Sequence, residues 1–580
     1  MINRIKKGMI SIWPLYLFCV LAIFLILPQL NRHSIIIGVD SIFHLNRFYD
    51  SMMQIKTGKF NYFMMNFGFD GTGRVVNALY GPIFAYIQGL ILLISGTWFK
   101  YQLLSDVLLT LVSSCTMYFL CQKIKLSKTL STVLAMLYST SSVVAVWSTS
   151  QQFTGWGAAF FPLVIGSGLI FIKDKAKFKD ILLLGVSVAI LFQVHLLTTV
   201  IAVLALIPLF TVGISRSKHK IKLLVQTISS IIVFVLLTGN IWGPLLSIEA
   251  HDHMLGPWPY DSMSDFTSWF SFGSPFNTDI GHSPTYGLIF SIIVIGSVVI
   301  SLTNWQRISI LNKTLTITIL IFVILTSEII PWTYFSTKFL FLKEFLQFPR
   351  RFIVVPTVLS LSTLGLNLKE LKISTEKWKI PVIILLVFSV CSIFTEVSNQ
   401  SKAWNTNDIS PWRNNLIFTK DPIGVRKAFT SHDLKDGLNA IKKYSMDYIP
   451  IIHKMPYDGT KLGPYSQSYS TLTSTRKEFK QRVDTSGNII LNAYLTKPSK
   501  KTLPIVMYNN TYLRFNGKRY TRKMIKTNSI MQPTLQLNKG PNKIKVGYHV
   551  CQKISFLFLI STISWLLMLL CFVLGVFQKF

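Results

Sequence analysis

Asp40, His44 and Arg47 stand at i, i+4 and i+7 in the segment Gly38-Val39-Asp40-Ser41-Ile42-Phe43-His44-Leu45-Asn46-Arg47. In a helix that spacing puts a carboxylate, an imidazole and a guanidinium on one face. Ile42, Leu45, Tyr49 and Met52 then fall on the opposite face, suited to lying against a bundle or a membrane. A carboxylate kept ionised by a neighbouring cation can act as a general base. The same pattern also describes an amphipathic surface helix whose polar side is merely solvated, and spacing alone does not separate the two.

A second group is Leu346-Gln347-Phe348-Pro349-Arg350-Arg351-Phe352, at the start of an apolar run. Guanidinium groups bind phosphate oxygens in pairs, so adjacent arginines suit a phosphate. They also suit snorkelling to lipid headgroups, which basic residues at span ends do routinely. His195, within Gln193-Val194-His195-Leu196-Leu197-Thr198, interrupts an apolar stretch and reads either as a site residue or as a packing histidine. His251-Asp252-His253 has metal-ligand residue types, yet alternate residues diverge in a helix and no third ligand is identifiable. No metal and no cofactor are therefore assigned. A Gly-rich phosphate loop, a Walker pattern and a Cys-based metal motif are all missing, which argues against a cytosolic nucleotide site.

The elements that must position these groups are membrane helices. Half of the 580 residues are hydrophobic and 14% are charged, against roughly a quarter charged in soluble domains. Runs long enough to cross a bilayer recur at 10–30, 102–121, 129–147, 158–172, 181–196, 198–214, 223–246, 286–303, 314–330, 352–367, 381–397 and 554–577. Short loops rich in Lys and Arg stay in the cytoplasm. Placing Lys123 to Lys128, Lys173 to Lys179, Arg216 to Lys222, Arg307 to Lys313 and Lys369 to Lys379 there gives about twelve spans, with both termini cytoplasmic. The first run follows Arg4, Lys6 and Lys7, but it is too long for a signal-peptide core and no small-residue cleavage site follows; it reads as a retained helix.

Residues 79–97 are apolar enough to cross, yet counting them reverses the side of every later basic loop. They read instead as a re-entrant or surface-lying helix within a long first outer loop, 31–101. Backbone at that depth must be covered by protein or line a wet cavity, so a cavity opening outward is expected there.

The fold class is thus a polytopic α-helical membrane protein. Residues 1–397 form the transmembrane domain, 398–553 an extracytoplasmic α+β domain, and 554–580 a final transmembrane helix. In the outer domain a helix fits Leu434 to Tyr444, and strands fit Ile489 to Leu495, Leu503 to Tyr508 and Ile544 to Tyr548, giving a small β-sandwich. Asn516-Gly517 marks a tight hairpin turn. The net charge of +34 concentrates here: Ser398 to Lys553 holds 27 Lys plus Arg against 8 Asp plus Glu. Nucleic acid does not suit a chain with this many spans. Lipid headgroups, polyprenyl phosphates or polyanionic wall polymers do. The six cysteines are scattered and imply no disulfide framework.

With these residues in view, the sequence resembles bacterial GT-C-type membrane glycosyltransferases of the YfhO-like group, also labelled pyruvoyl-tetrahydropterin-synthase-related membrane proteins. The resemblance rests on Asp40, His44 and Arg47 with Gly58 following, on Gln347-Phe348-Pro349-Arg350-Arg351-Phe352, and on Asp447-Tyr448-Ile449-Pro450 and Leu503-Pro504. It implies a GT-C-like fold in the bacterial plasma membrane and transfer of a sugar from a polyprenyl-phosphate donor. The acceptor implied is outside the cell, such as a teichoic acid, another anionic wall polymer or a glycolipid. Asp40 and His44 would then be catalytic. Arg47, Arg350 and Arg351 would hold the donor phosphate, and Gln347, His195 and Tyr448 would contact substrate. Many such enzymes carry two acidic residues in the first outer loop, whereas here Asp40 has no acidic neighbour before Asp50. Two other classes compete. A transporter or flippase of lipid-linked saccharide would place paired charges at mid-membrane, whereas Asp106 and Glu328 lie near span ends. A non-catalytic scaffold binding wall polymer would explain the basic domain but not the alignment of Asp40, His44 and Arg47.

The loop parity predicts a labelling pattern in a cysteine-free background. A single cysteine at Ser486 should react with an impermeant maleimide on whole cells, and one at Ser127 should react only after permeabilisation. The reverse pattern would invert the topology.

Overall fold

Helices form wherever the hydropathy pattern places them. The computed structural model describes residues 2–38, 40–172, 177–257, 262–273, 285–407, 416–418, 421–443, 447–452 and 471–574. In chain order the helices are α1 (Ile2–Arg32), α2 (Ser41–Thr57), α3 (Pro82–Ser95), α4 (Trp98–Lys123), α5 (Lys128–Ser139), α6 (Ser142–Ser150), α7 (Thr154–Gly168), α8 (Phe178–Val194), α9 (Leu196–Arg216), α10 (Lys220–Leu237), α11 (Gly239–Glu249), α12 (Gly287–Thr303), α13 (Ile310–Thr326), α14 (Trp332–Lys338), α15 (Val354–Glu370), α16 (Thr375–Trp404), α17 (Pro422–Thr430), α18 (Leu434–Ala440) and α19 (Gln552–Val573). Among the described residues, 8 helices are long and apolar enough to cross a membrane; α5 and α6, bent by 44°, would make a ninth span if they act as one. Each of the twelve expected runs contains a helix. However, α8, α12 and α13 have 17 residues apiece, a rise of about 25 Å, at the short end of what spans a bilayer. The expected run 223–246 is two helices, because α10 ends at Leu237 and α11 begins at Gly239.

Helix α3 has 14 residues, a rise of about 21 Å that falls short of a hydrocarbon core roughly 30 Å thick. It packs on α2, α4 and α8, as suits a segment that does not cross. Gly89 sets its approach to α2: a Cβ there would meet the Met52 nitrogen and the Ser51 Cβ at 2.8 Å.

The strands are β1 (His253–Met254), β2 (Leu416–Phe418), β3 (Ile441–Lys443), β4 (Pro450–Ile451), β5 (Lys480–Val483), β6 (Ile489–Leu495), β7 (Ser499–Thr502), β8 (Thr511–Phe515), β9 (Lys518–Thr521), β10 (Thr534–Leu537) and β11 (Gly540–Tyr548). An antiparallel sheet of order β5-β6-β11-β8-β9 carries Ile489, Leu491, Ile544, Val546 and Leu513 on one face. The ribbon β7–β10 and the buried segment Leu503, Ile505 and Met507 close over that face. The hairpin turn falls at Asn516 (φ 50°) and Gly517 (φ 76°), as the sequence predicts.

Two local expectations fail. Residues 503–508 are not a strand. Pro504 has no N–H to give a ladder, and the amides of Leu503, Val506 and Met507 go instead to the carbonyls of Pro533, Thr72 and Met531. The apolar run exists because the segment threads the core between the sheet and the first loop. The helix expected over Leu434 to Tyr444 stops at Ala440, where Ile441–Lys443 turns extended to pair with β2; Tyr444 lies outside the described residues. This turn brings Lys442 Nζ to Asp70 Oδ1 at 2.5 Å.

Gly89→Leu should drive α3 off α2 and lower stability by about 1–3 kcal/mol, read as a reduced melting temperature of the detergent-purified protein. An unchanged melting temperature would mean that this helix pair is free to move apart.

Candidate functional site

Helix α2 begins where the Ser41 hydroxyl accepts the Gly38 amide at 2.7 Å and ends at Gly58 (φ 69°), whose N–H donates to the Gln54 carbonyl. The reading of α2 as a solvated surface helix does not survive. Its polar side is buried: His44 is 3% exposed, and Arg47 and Asp50 are 0%.

Buried polar groups must find partners, and here they find the first loop. Asn46 Oδ1 accepts the Phe69 amide (2.7 Å), and Asp50 Oδ1 accepts those of Phe67 (2.8 Å) and Gly68 (3.0 Å). Gln54 donates to Asp50 Oδ2 (2.6 Å) and accepts the Asn61 amide (3.0 Å). Burial pushes Asp50 up to about 6, against the hydrogen bonds from Gly68, Phe67 and Gln54, which favour the anion.

Arg47 donates from Nε to Asn77 Oδ1 (3.0 Å), from Nη1 to His44 Nδ1 (3.1 Å) and from Nη2 to the Tyr80 carbonyl. Its guanidinium carbon lies 4.5 Å from the Tyr80 ring centre and 5.4 Å from that of Phe153. Among the described residues no carboxylate forms an ion pair with it. Burial lowers Arg47 to about 10 while nearby tyrosines oppose the shift, so it stays charged at neutral pH. Because a guanidinium only donates, His44 Nδ1 must accept, which assigns the imidazole proton to Nε2. The His44 ring stacks on Phe153 at 4.5 Å.

Asp40, half-buried, occupies the N-cap position of α2, and its side chain makes no capping bond. Its charge acts on Tyr80, as do those of Arg47 and Arg351. Arg47 and Arg351 also act together on His195 and on Tyr448. Segments separated by hundreds of residues thus converge on one electrostatic neighbourhood. Arg351 is held by donating from Nη1 to the Leu346 carbonyl and from Nη2 to Gln347 Oε1, each at 2.9 Å. Gln347 sits at φ 58° and therefore braces Arg351. Arg350 takes a different course: its guanidinium lies 5.1 Å from the Phe266 ring centre and 4.9 Å from that of Phe348. His195 is the one-residue hinge between α8 and α9; its Nδ1 accepts the Thr198 amide (3.2 Å), and its ring meets Tyr80 edge-on at 5.7 Å. It caps a helix and borders the site at once. Tyr448 (φ 66°) donates its amide to the Leu255 carbonyl and accepts the Tyr508 hydroxyl on its own carbonyl.

The outward cavity expected beside the first loop is not what surrounds His44. Rings of Phe43, Phe48, Tyr80, Trp147 and Phe153 fill that space and cover the turns of α2 that carry His44 and Arg47. Asp252 is taken up elsewhere: it pairs with Arg522 and accepts the Asn509 amide at 2.9 Å. Among the described residues no group of three His, Cys, Asp or Glu is placed to hold a metal. Sequence reasoning overlooked Tyr80, Asn77 and Arg74. Arg74 is 3% exposed, with its guanidinium 4.3 Å from the Phe69 ring centre and Nη2 donating to the Asp447 carbonyl. The available signal was a lone arginine in the largely apolar stretch Gly73-Arg74-Val75-Val76.

No family model matches the chain, and no curated protein matches it. Among solved structures it is similar to the crystal structure of ArnT from Cupriavidus metallidurans in the apo state, with a TM-score of 0.42 and 12% sequence identity over 75% of this chain and 85% of that one.

The folded state holds the Asp50 proton more tightly than the unfolded chain does, since its value is raised from 3.8 to about 6. Stability should therefore fall as pH rises through that interval. In Asp50→Asn this component should vanish from the melting temperatures measured between pH 4 and pH 7. Identical pH profiles for the two proteins would contradict it.

Proposed function

We propose that this protein is a membrane glycosyltransferase that moves a sugar from a polyprenyl-phosphate donor to an extracytoplasmic acceptor such as a teichoic acid or another anionic wall polymer. The observation that carries this reading is Arg47: a fully buried cation with no ion-paired carboxylate among the described residues, whose charge acts with that of Arg351 on Tyr80, His195 and Tyr448. A charge so placed is costly unless an anion completes it, and a lipid phosphate at the membrane boundary would do so. Asp40 is the half-buried carboxylate of the same neighbourhood.

In this reading Asp40 takes the proton of the acceptor hydroxyl as that oxygen attacks the anomeric carbon. The bond from that carbon to the phosphate oxygen breaks, and polyprenyl phosphate leaves with the electron pair. Arg47 and Arg351 hold the negative charge that grows on the leaving phosphate. His44, with its proton on Nε2, keeps Arg47 in place through Nδ1. The resemblance in the sequence supports the same assignment. Arg350 remains a candidate for the outer part of the donor, and Gln347 serves it through Arg351.

A transporter reading has one observation in its favour. Asp106, within α4, is a carboxylate buried beside Ser148, with no ion pair among the described residues. It lines a small cleft with Gln29, Ser139 and its neighbour Ser148.

Assayed with a polyprenyl-phosphate sugar, Asp40→Asn should lose on the order of 10²–10⁴ in transfer rate with insertion and folding unchanged. Arg351→Lys keeps the charge but loses the fork, so its donor KM should rise. Wild-type transfer by Asp40→Asn would refute the base assignment. Saccharide translocation by a protein that transfers nothing, abolished in Asp106→Asn, would favour the transporter.

A further inference from the structure

The register of the five-stranded sheet sets four cations in one row. Arg482 on β5 faces Ile490 on β6, which faces Lys545 on β11; Lys545 faces Arg514 on β8, and Arg514 faces Arg519 on β9. Side chains alternate along a strand, so this row lies on the face opposite Leu491, Ile544, Val546 and Leu513. Arg482, Arg514 and Arg519 are exposed, and the Lys545 side chain is 34% exposed. Like charges directly opposite each other destabilise a sheet, and two such pairs occur here in succession. Among the described residues the row's ion pair is Lys545 with Asp484, at 2.8 Å. The Arg519 and Arg514 guanidinium carbons lie 4.4 and 5.9 Å from the ring centre of Tyr512, which shares their face.

Ile490, between Arg482 and Lys545, is covered on this face, but Arg482, Arg514 and Arg519 stand exposed around it, and covering one isoleucine does not call for four cations in register. Nor does the row face the helices. The apolar side is the one that meets the first loop: Met64 joins its core, and Gln481, on that side, donates to the Gly71 carbonyl at 2.7 Å. The first loop in turn rests on α2 within the bundle. The cationic face is therefore turned away from the bundle, which disfavours a lipid surface as its partner. With strands about 4.8 Å apart, the row extends roughly 19 Å across the sheet. A linear string of anions laid across the strands matches it, and three guanidinium forks out of four cations suit phosphate oxygens.

We infer that this face binds a linear phosphodiester polymer running across the strands. It rests on the reading of the protein as a transferase onto an anionic polymer and names where that acceptor is held, apart from the reacting centre.

The test is binding without donor, using full-length protein in nanodiscs of zwitterionic lipid and fluorescent synthetic poly(glycerol phosphate) as probe. The triple variant Arg482→Gln, Arg514→Gln, Arg519→Gln should bind roughly tenfold or more weakly. Its plot of log affinity against log salt should be shallower by about two units, for three lost phosphate contacts. The corresponding triple Lys variant should keep most of the salt slope, and Arg514→Gln alone should show a smaller loss, which covers the case of a misfolded triple variant. Equal affinity of wild type and both Gln variants would overturn the inference. So would loss of wild-type polymer binding when the disc contains phosphatidylglycerol, because the face would then be a headgroup surface. Failure of the transferase reading would appear in the transfer assay and leave this binding result separate.

Discussion

The polar side of α2 has to be buried and satisfied at the same time, and the upper part of the molecule is arranged around that requirement. Asn46, Asp50 and Gln54 stand four residues apart and offer acceptors to the amides of residues 61 and 67–69. Residues 58–81 have little regular structure of their own, so these side chains take the place of a sheet or helix partner. Removing one acceptor would strand backbone donors in a dry setting, at a cost of about 1–3 kcal/mol each. The loop then holds Asn77 and Tyr80 against Arg47. The cation's position is thereby set by the same helix that carries it.

The loop is also the surface on which the strand-rich region sits. Asp70, at φ 59°, pairs with Lys442 and with Arg476 at 2.6 Å. Lys59 donates to the Val483 carbonyl, and Asn61 to that of Gly487. The final helix is less firmly tied to the bundle. It buries Ile554 and Ser561, and Ser561 donates to Asn240 Oδ1, which also accepts from Gln193. Much of α19 is thus exposed apolar surface, as a helix with lipid on most sides would be.

What the sequence made legible follows from which physical signals are local. Hydropathy marks a span because each residue of a membrane helix reports its own surroundings, and the expected runs all contain helices. The Asn516-Gly517 turn was legible because positive φ is a property of those two residues. By contrast, 503–508 has the composition of a strand and the burial of a core, and only its hydrogen bonds to Thr72, Met531 and Pro533 reveal that it is neither a strand nor a span. The i, i+4, i+7 spacing placed Asp40, His44 and Arg47 on one face, but could not show that this face is buried, since the burying surface comes from Tyr80 and Phe153. The pair Arg350 and Arg351 looked equivalent; Arg351 is braced by Gln347 and its charge acts on Tyr80, His195 and Tyr448, whereas Arg350 lies over Phe266 and Phe348. Tyr80 and Asn77 carried no signal, as their roles exist only once the loop has folded onto α2.

The two arginines differ in a way that bears on the proposed chemistry. Arg47 is enclosed by Asn77, His44 and the Tyr80 carbonyl, three neutral partners on three sides. Arg351 is braced from behind by a carbonyl and an amide oxygen in a turn that is only half-buried. On the proposed reading, a rigid cation inside and a braced one nearer the surface would make a graded field for the donor phosphate. Neutral partners matter here: a carboxylate beside Arg47 would cancel the charge that an incoming phosphate needs. Asp50 lies one turn along the same helix and is the carboxylate best placed to do that damage. Its oxygens are occupied by two loop amides and Gln54 instead of by the guanidinium. The contacts that fold the loop therefore also keep the Asp50 carboxylate from pairing directly with Arg47.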